Sequence, residues 1–295
     1  MRKSAVPSKK IIGITLGDPA GIGPEIIAAA LGSGRVDPRF EYRIIGERTG
    51  VKVGRPDAHS ATLALAALEE AALLALGGKI AAVVTGPIHK ARAQAVGFEF
   101  PGQTEFFAAR CRVKNFAMLL TGGALTVALV TAHIPLAQVA GALRASEIVR
   151  VGSLLADFLR SRIGRAPRIA VAGLNPHAGE SGALGREEIE IIAPAVAALC
   201  EKWQRRAKFD GPLSPDTVFH RAARGEFDGV LCMYHDQGLI PLKLHAFDSG
   251  VNVTLGLPFP RTSPDHGTAF DIAGKSTARP DSTIAAINLA TELAR

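Results

Sequence analysis

The sequence predicts an α/β fold, and three observations carry that expectation. Short β-branched runs alternate with Ala-rich helical stretches along the whole chain, the pattern of a parallel sheet with covered faces. Aromatic residues are only 5% of the 295 residues, while Gly and Ala are abundant, which suits close packing of helices on a sheet. Several runs end in short polar turns that carry histidine, at the edge where open α/β sheets bind ligands. At this length a single core is near its practical limit, so two lobes are expected.

The elements follow in order. Residues 11–16 form a β-branched run that ends in Gly17-Asp18-Pro19-Ala20-Gly21. Pro24-Glu25 then opens a helix to about Leu31, proline being well tolerated at the first helical position. A strand at 42–45 is closed by Gly46, a helix covers 60–76, and a strand at 80–84 ends at Thr85-Gly86-Pro87. Further strands are expected at 117–120, 126–130, 168–172, 229–233 and 251–254. Helices are expected near 105–110, 135–140, 145–162, 187–206 and 215–224, with a last one from about Ser282. No repeat or flexible linker marks a boundary, so the lobes are expected to be built from interleaved segments.

Composition narrows the partners. The formal charge is +7, but the basic residues are scattered, and their densest cluster (Lys202, Arg205, Arg206, Lys208) falls on a predicted helix. Without interleaved aromatics for stacking, that surface suits small anionic ligands and not nucleic acid. Cys111, Cys200 and Cys232 are far apart and lack CxxC spacing, so reduced, buried thiols are expected. The basic start, Met1 to Lys10, leads into an apolar run broken at Gly17-Asp18-Pro19, unlike a signal peptide. No apolar stretch approaches the ~20 residues of a membrane span. A cytoplasmic protein is expected.

Four constellations bear on chemistry. Val130 is followed by Thr131-Ala132-His133, Ala172 by Gly173-Leu174-Asn175-Pro176-His177, and Met233 by Tyr234-His235-Asp236-Gln237-Gly238. Three imidazoles on one rim would suit a borderline divalent cation; the alternative is three separate histidines bonded to backbone. Lys243, Asn252 and Arg261, with Gln103-Thr104 earlier, are anion-ready or ordinary surface groups. Asp265-His266-Gly267-Thr268-Ala269-Phe270-Asp271 opens a Gly-bounded loop that closes over a ribose or adenine, or is only a turn. Gly17 to Glu25 has the wrong spacing for a dinucleotide phosphate loop and reads as a structural turn.

Longer strings identify a relative. Gly13-Ile14-Thr15-Leu16-Gly17-Asp18-Pro19-Ala20-Gly21-Ile22-Gly23-Pro24-Glu25, Thr85-Gly86-Pro87-Ile88-His89-Lys90 and Gly102-Gln103-Thr104-Glu105-Phe106-Phe107 resemble the 4-hydroxythreonine-4-phosphate dehydrogenase family. So do Gly173 to Glu180, Met233 to Gly238 and Asn252 to Ser263. The resemblance implies an isocitrate/isopropylmalate dehydrogenase-like fold: two α/β/α lobes with a central cleft, in a homodimer whose active site is shared between subunits. It implies a first lobe of residues 1–96 and 257–295, with a cofactor-side loop at 265–274, and a second lobe of 97–256. A divalent metal (zinc, magnesium or cobalt) is then held by His133, His177 and His235, drawn from both subunits. The substrate-binding positions fall on Thr104, Asp216, Lys243, Asn252 and Arg261, and the NAD or NADP loop on His266, Gly267, Thr268 and Asp271.

Two positions depart from the family pattern. Gln103 stands where a histidine is common, and an amide can donate and accept but carries no charge. The segment from Gly46 to Ser60 is short for the family. The expected chemistry is oxidation of a small phosphorylated hydroxy acid, with Asp216, Asp236 and Lys243 as candidate catalytic groups. Asp216 or Asp236 would orient ligands or accept a proton. Rival readings are a relative acting on threonate 4-phosphate or a dihydrodiol, a phosphate acyltransferase, and a non-enzymatic metal-binding protein.

Overall fold

The computed structural model describes residues 9–295; Met1 to Ser8, where the basic start was read, lie outside the described residues. Along the chain run β1 (Ile11–Thr15), α1 (Gly23–Gly32), β2 (Glu41–Ile45), α2 (Ala58–Leu76), β3 (Ala82–Thr85), α3 (Lys90–Ala95) and α4 (Gln103–Arg110). Next come β4 (Ala117–Gly122), β5 (Leu125–Leu129), α5 (Leu136–Ala142), α6 (Ala145–Ile163), β6 (Arg168–Ala172), α7 (Ala193–Trp203) and β7 (Lys208–Leu213). The chain closes with α8 (Pro215–Ala223), β8 (Gly229–Cys232), α9 (His235–Ala246), β9 (Val251–Leu255), β10 (Arg261–Pro264) and α10 (Asp281–Leu293). Two units result: Met1–Arg112 with Leu257–Arg295, and Val113–Gly256.

The first unit orders its strands β2-β1-β3-β10, all parallel. On one face α2 packs Ala67, Leu68, Ala71 and Ala72 against Ile45, Ile80 and Val83. Small alanines let the helix approach closely, so this core needs few large side chains. Phe98, Phe106, Phe107 and Phe259 join the same cluster, which ties α4 to this unit. They meet largely edge to face, Phe106 and Phe107 at 5.2 Å between centroids. Asp57 caps α2 by accepting from Ser60 N at 2.8 Å. Among the described residues α2 is the one helix long and apolar enough to cross a membrane, contrary to the sequence expectation. Its alanine face is core, however, and its Glu69 and Glu70 pair with Arg110 and Arg43.

In the second unit the order is β9-β4-β5-β8-β6-β7. The fully parallel sheet expected from alternation is corrected here: β4 runs antiparallel to both β5 and β9. The reason is local. Gly123, at φ 54°, lets a two-residue turn join β4 to β5, far too short for the crossover that a parallel pair needs. One face buries Leu129, Ala172, Val230 and Cys232 under Val218 of α8 and Leu239 and Leu242 of α9. The other receives α6 and α7, where Gly152 of α6 lies against Leu199 and Leu231.

Several local expectations change. The helix expected over 187–206 is a π-turn (Glu188–Ile192), then α7, then a 3₁₀ turn (Gln204–Arg206). The basic cluster is therefore spread over helix, turn and β7, with the Arg206 guanidinium 5.0 Å from the Trp203 ring centroid. Of the three thiols only Cys232 is buried, and burial pushes it well above its ordinary pKa. Cys200, on α7, is exposed, and Cys111, just past the end of α4, is intermediate and packs against the first unit's core cluster.

Gly17 shows how tightly the first unit's turn is built. At φ +71°, its missing Cβ would lie 2.3 Å from the Pro87 carbonyl oxygen. Asp18 N donates to that oxygen at 2.9 Å, joining the ends of β1 and β3. Gly17→Ala should therefore lower the unfolding free energy by about 2–4 kcal/mol in urea titration, since backbone must move. A loss below about 0.5 kcal/mol would show that these strand ends separate cheaply.

Candidate active site

Three strands of the second unit bring the histidines to one edge. β5 pairs with β8 in parallel, Leu129 beside Cys232, and β8 pairs in parallel with β6, Val171 beside Leu231. Their carboxyl ends therefore face the same way, and His133, His177 and His235 all leave from that edge. The His133 and His235 rings lie 5.7 Å apart between centroids. A cavity of about 280 Å³ there is lined by His133, Ile134, Leu136, Tyr234, His235 and Asp236, among others.

His177 does not join that pair in one chain. Among the described residues no group of three or more His, Cys, Asp or Glu side chains is placed to hold a metal ion. The chain leaves β6 into a left-handed turn in which His177, Ala178, Gly179, Glu180 and Ser181 all have positive φ. His177 faces α8 instead. Its charge helps hold the Asp216 carboxyl below the usual range, though the larger cause is the Ser214 hydroxyl, which donates to Asp216 at 2.6 Å.

Asp236 sits beside His235, its Oδ1 2.6 Å from Nδ1. A carboxylate on Nδ1 fixes the ring so that Nε2 is the nitrogen presented outward. The donor set thus fits a divalent cation in type, with two imidazoles close together and one of them oriented. It supplies part of a coordination shell.

Residues the sequence reading had not singled out hold these turns together. Thr131 Oγ1 donates to Met233 O at 2.7 Å, linking the His133 and His235 turns. Gln237 accepts from Met233 N at 2.7 Å and donates to Gly173 O at 2.6 Å, linking the ends of β8 and β6. Gln237 was visible inside the string that carries His235, but strand order was needed to see what its amide spans.

Lys243 and Asn252 lie farther from the edge. α9 starts beside Leu129, against which Gly238 packs, and ends beside Gly122, against which Ala246 packs. Lys243, half-buried, is two turns down that helix, about 12 Å along the axis from His235. Asn252 stands opposite Leu120, which is opposite Val127, inside the sheet and not past its end; its Oδ1 is buried with no partner among the described residues.

In the first unit, α4 and β10 converge on Arg261, which is 3% exposed. Its Nη2 donates to Thr85 Oγ1 at 2.5 Å and to Gln103 Oε1 at 2.9 Å, and the guanidinium lies 5.7 Å from the Phe107 ring centroid. Burial pulls its pKa down to about 10, opposed by the charge of Glu105. Gln103 uses both ends of its amide, since Nε2 donates to Gly86 O at 3.1 Å. Thr104, next on α4, is buried.

The loop after β10 packs on the Gly17–Pro24 turn of the same unit. Ile22 N donates to Thr268 O at 2.9 Å, and a Cβ on Gly21 would stand 2.6 Å from that oxygen. Gly274 N donates to Glu25 Oε2 at 2.9 Å. The glycine turn thus acts as the seat of the loop. Thr268 is buried within it, His266 is half-buried, and Gly267 and Asp271 are exposed.

This arrangement has known counterparts. A family model described as pyridoxal phosphate biosynthetic protein PdxA matches residues 28–290. The 4-hydroxythreonine-4-phosphate dehydrogenase of Caulobacter vibrioides is 45% identical, over 96% of this chain and 97% of its own. A crystal structure of the Klebsiella pneumoniae 4-hydroxythreonine-4-phosphate dehydrogenase has a TM-score of 0.83 at 38% identity, covering 97% of this chain and 100% of that one. A terephthalate 1,2-cis-dihydrodiol dehydrogenase from Burkholderia xenovorans has a TM-score of 0.68 at 27% identity, covering 97% and 98%. Matched over most of its length by family, sequence and fold alike, the chain belongs to the PdxA family of pyridoxal phosphate biosynthetic proteins.

Proposed function

We propose that this protein catalyses the NAD(P)-dependent oxidation of 4-hydroxy-L-threonine 4-phosphate to 2-amino-3-oxo-4-phosphooxybutanoate. That β-keto acid loses carbon dioxide to give 3-amino-2-oxopropyl phosphate, in the cytoplasmic synthesis of pyridoxal 5′-phosphate. The observation that carries the reading is the His133–His235 pair with Asp236 behind it, in a chain 45% identical to a dehydrogenase so named. The dihydrodiol dehydrogenase is the more distant relative in both identity and TM-score, which favours the phosphorylated substrate.

The active unit in this reading is a homodimer. One chain gathers two of the three histidines, and a second copy supplies the remaining one. A face for that copy lies on α9, where Ile240, Leu244 and Phe247 are 66%, 86% and 75% exposed. Spaced four and three apart, they form one stripe, and Leu136, at the start of the helix that borders the histidine cavity, is exposed as well.

When bound, a divalent ion supplies charge that eases ionisation of a secondary hydroxyl and decarboxylation of a β-keto acid, and nicotinamide supplies the hydride acceptor. His133, His177 and His235 would hold that ion. Asp236 bonds to His235, and the His177 charge reaches Asp216 on α8, which supports an orienting role for both. Arg261 and Lys243 would bind the anionic groups of the substrate, with Gln103, Thr104 and Asn252 fixing its orientation. His266, Gly267, Thr268 and Asp271 would meet the adenosine side of the cofactor, on a loop already anchored through Thr268.

The direct test is cofactor reduction across a panel of 4-hydroxythreonine 4-phosphate, threonate 4-phosphate and a dihydrodiol. The first should show the highest kcat/KM; a faster rate on either other compound overturns the substrate assignment. His235→Ala should lower activity at least about 100-fold and strip most bound divalent ion while circular dichroism stays unchanged. Wild-type metal content in that variant would remove His235 from the ligand set.

Subunit mixing examines the shared site. Inactive His177→Ala protomers combined with inactive His235→Ala protomers should recover part of the activity, because one of the two sites regains a full set. Confirmed heterodimers with no recovery would mean that each site is complete within one chain.

Arg261→Lys keeps the charge and loses the planar fork. For the phosphorylated substrate kcat/KM should fall about 100-fold, near 2.7 kcal/mol of transition-state binding. The dephosphorylated analogue should be slow with both proteins and much less affected. An equal loss on both would assign Arg261 to the carboxylate or to support of Thr85 and Gln103.

A further inference from the structure

The turn that carries His177 is built against conformational preference. Of its six residues with positive φ, four are not glycine: His177 (52°), Ala178 (53°), Glu180 (43°) and Ser181 (58°). Each such residue costs about 1–2 kcal/mol, so the turn persists only if its surroundings hold it. At its borders it is tied by Ala178 N to Asn175 O at 3.1 Å, Ala183 N to Glu180 O at 3.2 Å and Leu184 N to Gly179 O at 3.1 Å.

A buried carboxylate is among the groups that hold it. Glu188 is 3% exposed and opens the π-turn ahead of α7, a kind of turn often found at functional sites. Its Oε1 accepts from Leu174 N and from Asn175 N, both at 2.7 Å, and its Oε2 accepts from Asn175 Nδ2 at 2.9 Å. The same Oε2 lies 2.6 Å from where a Cβ on Gly179 would stand, and Oε1 lies 3.1 Å from where one on Gly173 would stand. Glu188 therefore touches the turn on both sides of His177. It gathers three N–H donors, and glycine at 173 and 179 lets the backbone close around it.

We propose that Glu188 is the positioning residue that sets His177, holding the left-handed turn so that the imidazole stands where a ligand is needed. The assignment of His177 as a metal ligand belongs to the preceding reading; the hold of Glu188 on the turn does not depend on it. Glu188→Gln tests the hold at constant shape. One acceptor oxygen becomes an NH₂ group, which must face either the two backbone N–H groups or the Asn175 amide, itself already committed to Glu187 Oε2 at 2.8 Å.

The primary readout is made on metal-free protein labelled at the histidine rings. In Glu188→Gln the His177 ring resonances should move towards those of an unstructured histidine, while those of His133 and His235 stay put. Amide exchange at Leu174, Asn175, Ala178 and Leu184 should quicken at least about tenfold, with β5 and β8 unchanged. Unchanged His177 resonances and exchange overturn the proposal, as does a change spread evenly over all three histidines, which would mark general destabilisation.

Cobalt(II) titration is the second readout. Affinity should fall about 10–100-fold in the variant, with an altered visible spectrum at saturation. Wild-type affinity and spectrum in Glu188→Gln overturn the positioning role. Failure of the wild-type protein to bind cobalt instead counts against the metal reading and leaves the resonance result to decide on Glu188. Should Glu188→Gln not fold, Gly179→Ala displaces the turn from an intact carboxylate and must give the same local shifts.

Discussion

The shared direction of β5, β8 and β6 is the constraint on which the rest of the second unit depends. Parallel neighbours end on one edge, so three chain segments distant in sequence turn there within a few ångströms of one another. Backbone pairing alone does not fix how far each turn travels beyond its strand. Side-chain amides and hydroxyls supply that: Thr131 binds the Met233 carbonyl, and Gln237 spans Met233 and Gly173. The Thr131–Met233 and Gln237–Gly173 bonds join segments that bear different histidines, and the Gln237–Met233 bond braces the His235 turn itself. The geometry at the edge is therefore a property of the network and not of any single loop.

Carboxylates then divide the work around the imidazoles. Asp236 binds His235 directly at Nδ1, which sets the ring face. Asp216, on α8, is reached by the His177 charge, its charge form favoured by Ser214. Glu188 touches no histidine and instead collects backbone donors on the strand side of His177. In the first unit the corresponding device is an amide: Gln103 bridges Gly86 and the buried Arg261. An amide holds a guanidinium without neutralising it, and the charge of Glu105 favours the protonated form of Arg261.

Strands and helices with plain periodicity were legible in the sequence, and 168–172 matches β6 to the residue. The elements that escaped have identifiable chemistry. α9 contains Gly238 and Pro241, both signals against a helix; tertiary packing of Leu239 and Leu242 outweighs them. β10 is a four-residue strand between Pro260 and Pro264, too short and too polar to declare itself. β7 carries Gly211-Pro212 within it. At the site, three histidines past three strand ends could be read, since each follows an apolar run. The left-handed turn at His177 could not, because Ala178, Glu180 and Ser181 have no preference for positive φ. Glu188 left a trace: it occupies the buried helix face of Ile192, Ala195 and Leu199, an odd place for a carboxylate.

α9 begins at His235 and ends just before Phe247, so one helix carries a candidate ligand at one end and an exposed apolar stripe along its side. Pro241 removes one of its internal bonds, but Leu239 and Leu242 pack both halves of the helix into the same core cluster. Any tilt imposed where Ile240, Leu244 and Phe247 are covered would be felt at the imidazole. In the proposed homodimer, assembly and catalysis would then obey one mass-action law, and dilution would lower turnover per chain even while every chain stayed folded.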